Sequence, residues 1–290
     1  MPDKNKIFNK LMIATDLDGT LITPAYKIPE PNFKAVDDFI KGGGLFTIAT
    51  GRSIESARQY AMAIKVNAPI IVMNGAIIYD YSKEKIIWDY PLDKAARDYT
   101  KAVMDEFPDV GIEIYSGNQL YIMRQNHITY IHAKNEAIDP IEVNSFDEIP
   151  STWHKVLFAG DHEQLEPVAD FCLANLTEKA EYVFTAPVYY EMMPIGINEG
   201  ATLKVLAKLL NIDIENTIAI GDYYNDIQLL SAAGIGALSG SSPKELWKHA
   251  DIVLCPCEEG VAQDLVTRLT KLLKGNKSNS KNCLEDIRRI

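Results

Sequence analysis

The feature that most constrains this chain is a repeated order of segments: a short, solidly apolar run, a polar cluster, then an amphipathic helix. Leu11 to Thr15 is the first run, followed at once by Asp16-Leu17-Asp18-Gly19-Thr20-Leu21. Leu45 to Ala49 leads into Thr50-Gly51-Arg52, and Ile70 to Met73 leads into Asn74-Gly75-Ala76. Phe33, Val36 and Ile40 fall at helical spacing before Gly42-Gly43-Gly44, and Ile54, Ala57, Ala61 and Ile64 mark the next helix. Strands without a polar face must be covered on both sides, so the pattern predicts a parallel sheet wrapped by helices.

The pattern breaks off and later resumes. A striped helix over Thr202 to Leu210 precedes a strand at Thr217 to Ile220 and the cluster Gly221-Asp222-Tyr223-Tyr224-Asn225-Asp226. A helix at Asp226 to Ala233, strands at Ile235 to Leu238 and Ile252 to Leu254, and a last helix through Val261, Leu265, Leu269 and Leu272 follow. In the interruption the strands are more polar and alternate: Ile86 to Trp88, Ile112 to Tyr115, Gln119 to Met123, Lys155 to Ala159, Tyr182 to Thr185 and Val188 to Met192. With helices at Lys94 to Glu106 and Leu165 to Asn175, this predicts an α+β unit with an antiparallel sheet. The expected fold class is α/β: a Rossmann-like, doubly wound core from 1–84 and 194–290, interrupted by an inserted α+β domain at 85–193. A chain of 290 residues is long enough for both.

Composition narrows the partners. Forty acidic against 29 basic residues give a formal charge of -11. A field of that sign repels nucleic acid and anionic membrane, so an anionic ligand needs local positive charge or a metal ion. No apolar run approaches the roughly 18 residues of a membrane span. Met1 to Lys10 lacks the apolar stretch of a secretory signal. Cys172, Cys255, Cys257 and Cys283 form no CxxC pair and read as free thiols of a reducing cytosol. The expectation is a cytoplasmic monomer or homodimer that meets a small molecule, with no nucleic acid or membrane partner. Gly275 to Asn282 reads as a mobile polar tail.

In an open α/β sheet, ligands bind at the carboxyl ends of the strands, where these polar clusters lie. Two acids one residue apart, Asp16 and Asp18, can divide a phosphoryl transfer: one attacks phosphorus, the other protonates the leaving oxygen and later deprotonates water. A turn with solvated acids is the alternative. The Thr50 hydroxyl and nearby backbone N–H groups can hold a phosphate oxygen, or they can serve as a helix N-cap and turn. Asp222, Asn225 and Asp226 offer hard oxygen donors suited to Mg2+; alternatively Asn225 or Asp226 is an N-cap for the helix that follows. Trp88, Trp153 and Tyr189-Tyr190 read as packing of the inserted domain.

Taken in order, these three clusters resemble those of the haloacid dehalogenase-like hydrolase superfamily. The closer similarity is to its Cof-type phosphatases, whose large α/β cap is inserted between the second and third motifs. Asn74-Gly75-Ala76, Tyr190-Glu191-Met192-Met193-Pro194, Ala250-Asp251 and Glu259-Gly260-Val261 extend the resemblance over residues 10–273. It implies a Mg2+-dependent phosphatase acting on a small phosphorylated metabolite, a sugar phosphate or a phosphorylated cofactor. By this resemblance Asp16 is the nucleophile that becomes an aspartyl-phosphate, and Asp18 is the general acid/base. Asp16, the Asp18 carbonyl and Asp222 hold Mg2+, with Asp226 in the metal shell. Thr50, Gly51 and Asn225 meet the phosphoryl group, while Arg52 and Asn74 lie on the substrate side.

One position departs. Where the family places a lysine before a helix-opening glycine, this chain has Glu199 before Gly200. Two unit charges 4 Å apart interact by about 4 kcal/mol at an effective dielectric near 20, so a lysine exchanged for an inward carboxylate matters. Asn198 reads as the N-cap, and an acid in the first turn also suits the helix dipole while facing solvent. Lys204 is a candidate substitute, about 7.5 Å further along the helix and about 140° around it. The departure opens an alternative, a phosphate-ligand binder or sensor with weakened catalysis. A phosphomutase using the same aspartyl-phosphate chemistry is a further one.

Overall fold

The computed structural model describes residues 6–275, so residues 276–282 of the proposed tail, and Cys283, lie outside the described residues. The first stretch contains β1 (Met12–Thr15), α1 (Glu30–Lys41), β2 (Leu45–Ile48), α2 (Ile54–Ile64), β3 (Ile70–Val72), β4 (Ile77–Asp80) and β5 (Lys85–Asp89). The middle contains α3 (Ala96–Glu106), β6 (Gly111–Ser116), β7 (Gln119–Arg124), α4 (His127–Asn135), β8 (Ile141–Glu142), β9 (Lys155–Ala159), α5 (His162–Asn175), β10 (Glu181–Ala186) and β11 (Tyr189–Met193). The last stretch contains α6 (Glu199–Leu209), β12 (Thr217–Gly221), α7 (Ile227–Ala232), β13 (Ile235–Leu238), β14 (Ile252–Val253) and α8 (Val261–Gly275).

The apolar runs form a five-stranded sheet in the order β14-β13-β12-β1-β2, every neighbouring pair parallel. Alternate side chains of each strand enter opposite layers. Ile13, Phe46, Ile48, Ile218 and Ile220 pack with Val36 and Phe39 of α1 and with Leu265 and Leu269 of α8. Met12, Ala14, Ala219 and Leu238 pack with Leu203 and Leu206 of α6 and with Leu229 and Leu230 of α7. Both faces are dry, which is why these strands carry no polar alternation. The fold is therefore α/β, with a doubly covered parallel sheet.

The middle strands build a six-stranded sheet, β10-β11-β9-β6-β7-β8, antiparallel except for β7 with β8. One face packs Ile112, Ile114, Val156, Phe158, Tyr190 and Met192 with α3 and α5. The intervening residues Glu113, Tyr115, Lys155, Glu191 and Met193 are also buried. That is the origin of the polar alternation. Three elements were not read from the sequence: β4, the short β8, and α4, which carries only a weak apolar stripe. The strand expected at Ile86 to Trp88 is β5, which pairs with β4 in a three-stranded sheet with β3 rather than with the six-stranded sheet. Cys172, Cys255 and Cys257 are free thiols. Among the described residues, no helix is long and apolar enough to cross a membrane.

Candidate active site

Because β12, β1 and β2 are adjacent and parallel, their carboxyl ends open on one edge of the sheet. Asp16 follows β1 directly, and its N–H donates to the Ile220 carbonyl at 2.8 Å. Thr50 lies just past β2, buried, with its N–H on the Ile71 carbonyl at 3.0 Å. Ser53 rather than Thr50 caps α2, accepting the Ser56 N–H through its hydroxyl. Gly19 turns the chain at φ +86, and a Cβ there would lie 2.4 Å from Asp222 Oδ2. Only glycine permits that approach, which also brings the Thr20 hydroxyl to donate to Asp222 Oδ1 at 2.8 Å.

Asp18 is half exposed and held by Arg52 in a two-pronged pair, both N–H···O distances being 2.7 Å. Arg52 also donates to Ser56 Oγ at 2.8 Å and lies 3.3 Å from Glu136, just beyond α4. Its guanidinium faces the rings of Tyr26 and Tyr60, 5.6 and 5.3 Å from their centroids. Arg52 therefore ties the turn after β1 to both α2 and the α4 segment.

Glu199 points inward and is 7% exposed. Non-local packing puts it there. A Cβ on Gly200 would sit 2.1 Å from the Gln228 carbonyl, so α6 lies hard against α7. Asn198 caps α6 by accepting the Ala201 N–H at 2.8 Å, and the Thr202 hydroxyl donates to the Gly75 carbonyl at 2.6 Å. Asp226 is fully buried, and its Oδ2 accepts the N–H groups of Asp222 and Tyr223 at 2.8 and 2.9 Å. It braces the loop after β12 rather than capping α7 through its side chain. Carboxylate oxygens of Asp16, Glu199 and Asp226 all lie within 4.8 Å of one another.

Crowding and burial push these acids upward. Asp16 is raised well above its ordinary value by burial, then by the charges of Asp226, Glu199, Asp222 and Asp18. Burial, then the Asp226 charge, pushes Glu199 up to about 8. Asp226 is pushed up to about 7 by burial, against the pull of its two backbone hydrogen bonds. Asp222 rises to about 6, again mainly by burial, with the Thr20 hydrogen bond opposing.

The edge opens into a cavity of about 940 Å³. Asp16, Asp18, Thr50, Gly51, Arg52 and Asn74 line it from the first part of the chain, and Glu199, Asp222 and Asn225 from the last. Asp226 lies behind the wall. Lys204 is exposed and does not line the cavity, so it does not replace the missing lysine. The middle segment contributes residues that sequence reasoning missed: Lys155, Glu191, Glu136, Tyr115 and His132. Tyr189, read from the sequence as packing, also lines the cavity, whereas Tyr190 and Trp153 do pack in the buried cluster against the six-stranded sheet.

Lys155 Nζ is 3.1 Å from the Gly51 carbonyl and 3.0 Å from Glu191 Oε1, while Asn74 donates to Glu191 Oε2 at 2.7 Å. Its charged head thus reaches the phosphate-binding candidates Thr50 and Gly51 from across the cavity. A lysine opening an otherwise apolar strand is the signal that could have revealed it. Both partners of the pair are about 5% exposed in their side chains. Lys155→Met would leave the Glu191 carboxylate without its cation and lower stability by roughly 3–5 kcal/mol. Urea unfolding measures this, and Lys155→Met with Glu191→Gln is expected to recover part of the loss.

The residues fit a hard dication. Asp16 and Asp222 supply carboxylate oxygens at adjoining strand ends, and the chemistry of that all-oxygen donor set suits Mg2+. A nearby cation would also relieve the pressure that holds these acids toward their neutral forms.

The chain matches the family model of haloacid dehalogenase-like hydrolases over residues 13–265. It belongs to that family. Within the family it is of the Cof type. An HMP-PP phosphatase of Serratia proteamaculans is 25% identical over 242 residues, covering 81% of this chain and 85% of the relative. Another, from Escherichia fergusonii, is 27% identical over 241 residues, covering 81% and 86%. Among solved structures, a haloacid dehalogenase-like hydrolase from Bacteroides thetaiotaomicron superposes with a TM-score of 0.81 at 23% identity, covering 89% of this chain and 99% of the other. A subclass IIB sugar phosphatase of the same superfamily superposes at 0.75 with 20% identity, covering 90% and 99%. These likenesses establish the shared fold.

Proposed function

We propose that this chain is a phosphatase that hydrolyses a small phosphorylated metabolite through an aspartyl-phosphate on Asp16. The observation that carries the reading is the placing of Asp16 and Asp18 at the end of β1, facing one cavity with Thr50 and Asp222. The curated relatives named as HMP-PP phosphatases support it, and so does the family's hydrolase character. A sugar phosphate or a phosphorylated cofactor is the proposed substrate class. The proposed division of the chain is a core of 1–84 and 194–290 and a cap of 85–193, with the β4–β5 hairpin at the seam.

In this account an Asp16 carboxylate oxygen attacks phosphorus. The phosphorus–ester oxygen bond breaks, its electron pair leaves with the alkoxide, and Asp18 supplies the proton. Asp18 then takes a proton from water as that water attacks the aspartyl-phosphate, freeing phosphate and restoring Asp16. The Thr50 hydroxyl, the Gly51 N–H and the Asn225 amide hold phosphoryl oxygens, while Arg52 and Asn74 face the rest of the substrate. Mg2+, held by Asp16, Asp222 and the Asp18 carbonyl, offsets charge on the phosphoryl group when bound. Arg52 has to loosen its grip on Asp18 before that acid can give its proton, and an incoming anionic substrate would compete for the same guanidinium.

The inward carboxylate of Glu199 favours one second reading, a binder that holds phosphate esters with little or no turnover. Acid quenching during turnover separates the two. A phosphoryl adduct on the peptide carrying Asp16 supports the hydrolytic route, whereas tight ester binding with no adduct and no free phosphate supports the binder.

A further inference from the structure

We propose that Asp16, Glu199 and Asp226 hold a second divalent cation, distinct from the one assigned to Asp16, Asp222 and the Asp18 carbonyl. The inference rests on the reading of Asp16 as the reacting carboxylate, but its test does not depend on turnover.

Three observations converge. The three carboxylates are buried, and each brings an oxygen within 4.8 Å of the other two. Glu199 Oε2 and Asp226 Oδ1 are buried without any hydrogen-bond partner. Buried polar atoms almost always have a partner, and two orphans in one cluster of acids point to a missing positive charge. The third observation is the charge balance of the cavity. Asp16, Asp18, Glu136, Glu191, Glu199 and Asp222 all line it. The lysine and arginine side chains lining it, among the described residues, are Arg52 and Lys155. Each is already committed, Arg52 to Asp18 and Glu136, Lys155 to Glu191.

A phosphate ester entering this wall adds further negative charge. One dication at Asp16 and Asp222 leaves Glu199 Oε2 and Asp226 Oδ1, in the same cluster as Asp16, still without a partner. A hard cation accepts oxygen donors alone, and three carboxylates are such a set. The packing of Gly200 on the Gln228 carbonyl fixes Glu199 in that position, so the donors are placed before any ion arrives. Two-metal sites are an established way to bind both sides of a transferring phosphoryl group.

The test is Mn2+ binding to the full-length chain, counted by electron paramagnetic resonance of free Mn2+, with phosphate release measured separately on the same samples. The wild type is expected to bind two ions. Glu199→Gln and Glu199→Lys should each bind one, the lost ion weakened by at least about 100-fold, the upper range for losing a supporting group. Asp222→Asn should also retain one, and Asp222→Asn with Glu199→Gln none. Near-ultraviolet circular dichroism confirms that each variant is folded, and the lysine variant carries its own compensating charge. One ion in the wild type, lost in Asp222→Asn and unchanged in Glu199→Gln, overturns the second site and leaves the phosphatase reading standing. Two ions in both the wild type and Glu199→Gln overturn it equally. Failure of phosphate release with the two-ion count intact strikes the functional reading alone.

Discussion

Asp16→Asn is expected to lower phosphate release by at least about 10⁴-fold, the scale on which loss of a nucleophile acts. An amide oxygen of that size fills the same space but cannot become an acyl phosphate. The same substitution should make the metal-free protein more stable above neutral pH. Asp16 sits among Asp226, Glu199, Asp222 and Asp18, and its buried charge is a cost that the amide removes. Kinetics and thermal melting on one preparation check both halves. An inactive variant that melts no lower than wild type excludes misfolding as the cause.

The metal-free wild type should lose stability as pH rises. Glu199, Asp226 and Asp222 have folded-state values of about 8, 7 and 6 against ordinary values of 4.5, 3.8 and 3.8. Between those limits the folded chain binds more protons than the unfolded chain, so stability falls with increasing pH. Their contribution is complete below the ordinary values, and it is lost progressively as pH climbs through 6, 7 and 8. The total is on the order of several kcal/mol, or roughly 10 °C in melting temperature for a chain of this size. Mg2+ binds the deprotonated carboxylates, so it should raise the melting temperature most at the alkaline end. Glu199→Gln should flatten the metal-free profile. A profile that rises with pH in the absence of metal would contradict the burial of these acids.

The core of the site was legible in the sequence because its parts are local. Asp16, Thr50 and Asp222 each follow an apolar strand directly, and parallel pairing of β12, β1 and β2 brings those ends together. The share contributed by the six-stranded sheet was not legible. Lys155 and Glu191 are spaced 36 residues apart, and they meet only through the order of strands in the six-stranded sheet. A polar residue in an alternating strand ordinarily faces water, and nothing local showed that this face is covered. Glu199 is the sharpest case. Its spacing suited a solvent-facing first turn as well as an inward carboxylate, and the choice was made by Gly200 against the Gln228 carbonyl. β4 went unread because Asn74-Gly75 marked a site turn, and its pairing with β3 and β5 is a tertiary fact.

The most direct test of the central claim is phosphate release from a panel of small phosphate esters, sugar phosphates among them, with and without Mg2+. Mg2+-dependent release from at least one ester, abolished in Asp16→Asn, is the expected result. A folded wild type that binds esters and Mg2+ yet releases no phosphate, or release that persists in Asp16→Asn, would contradict it.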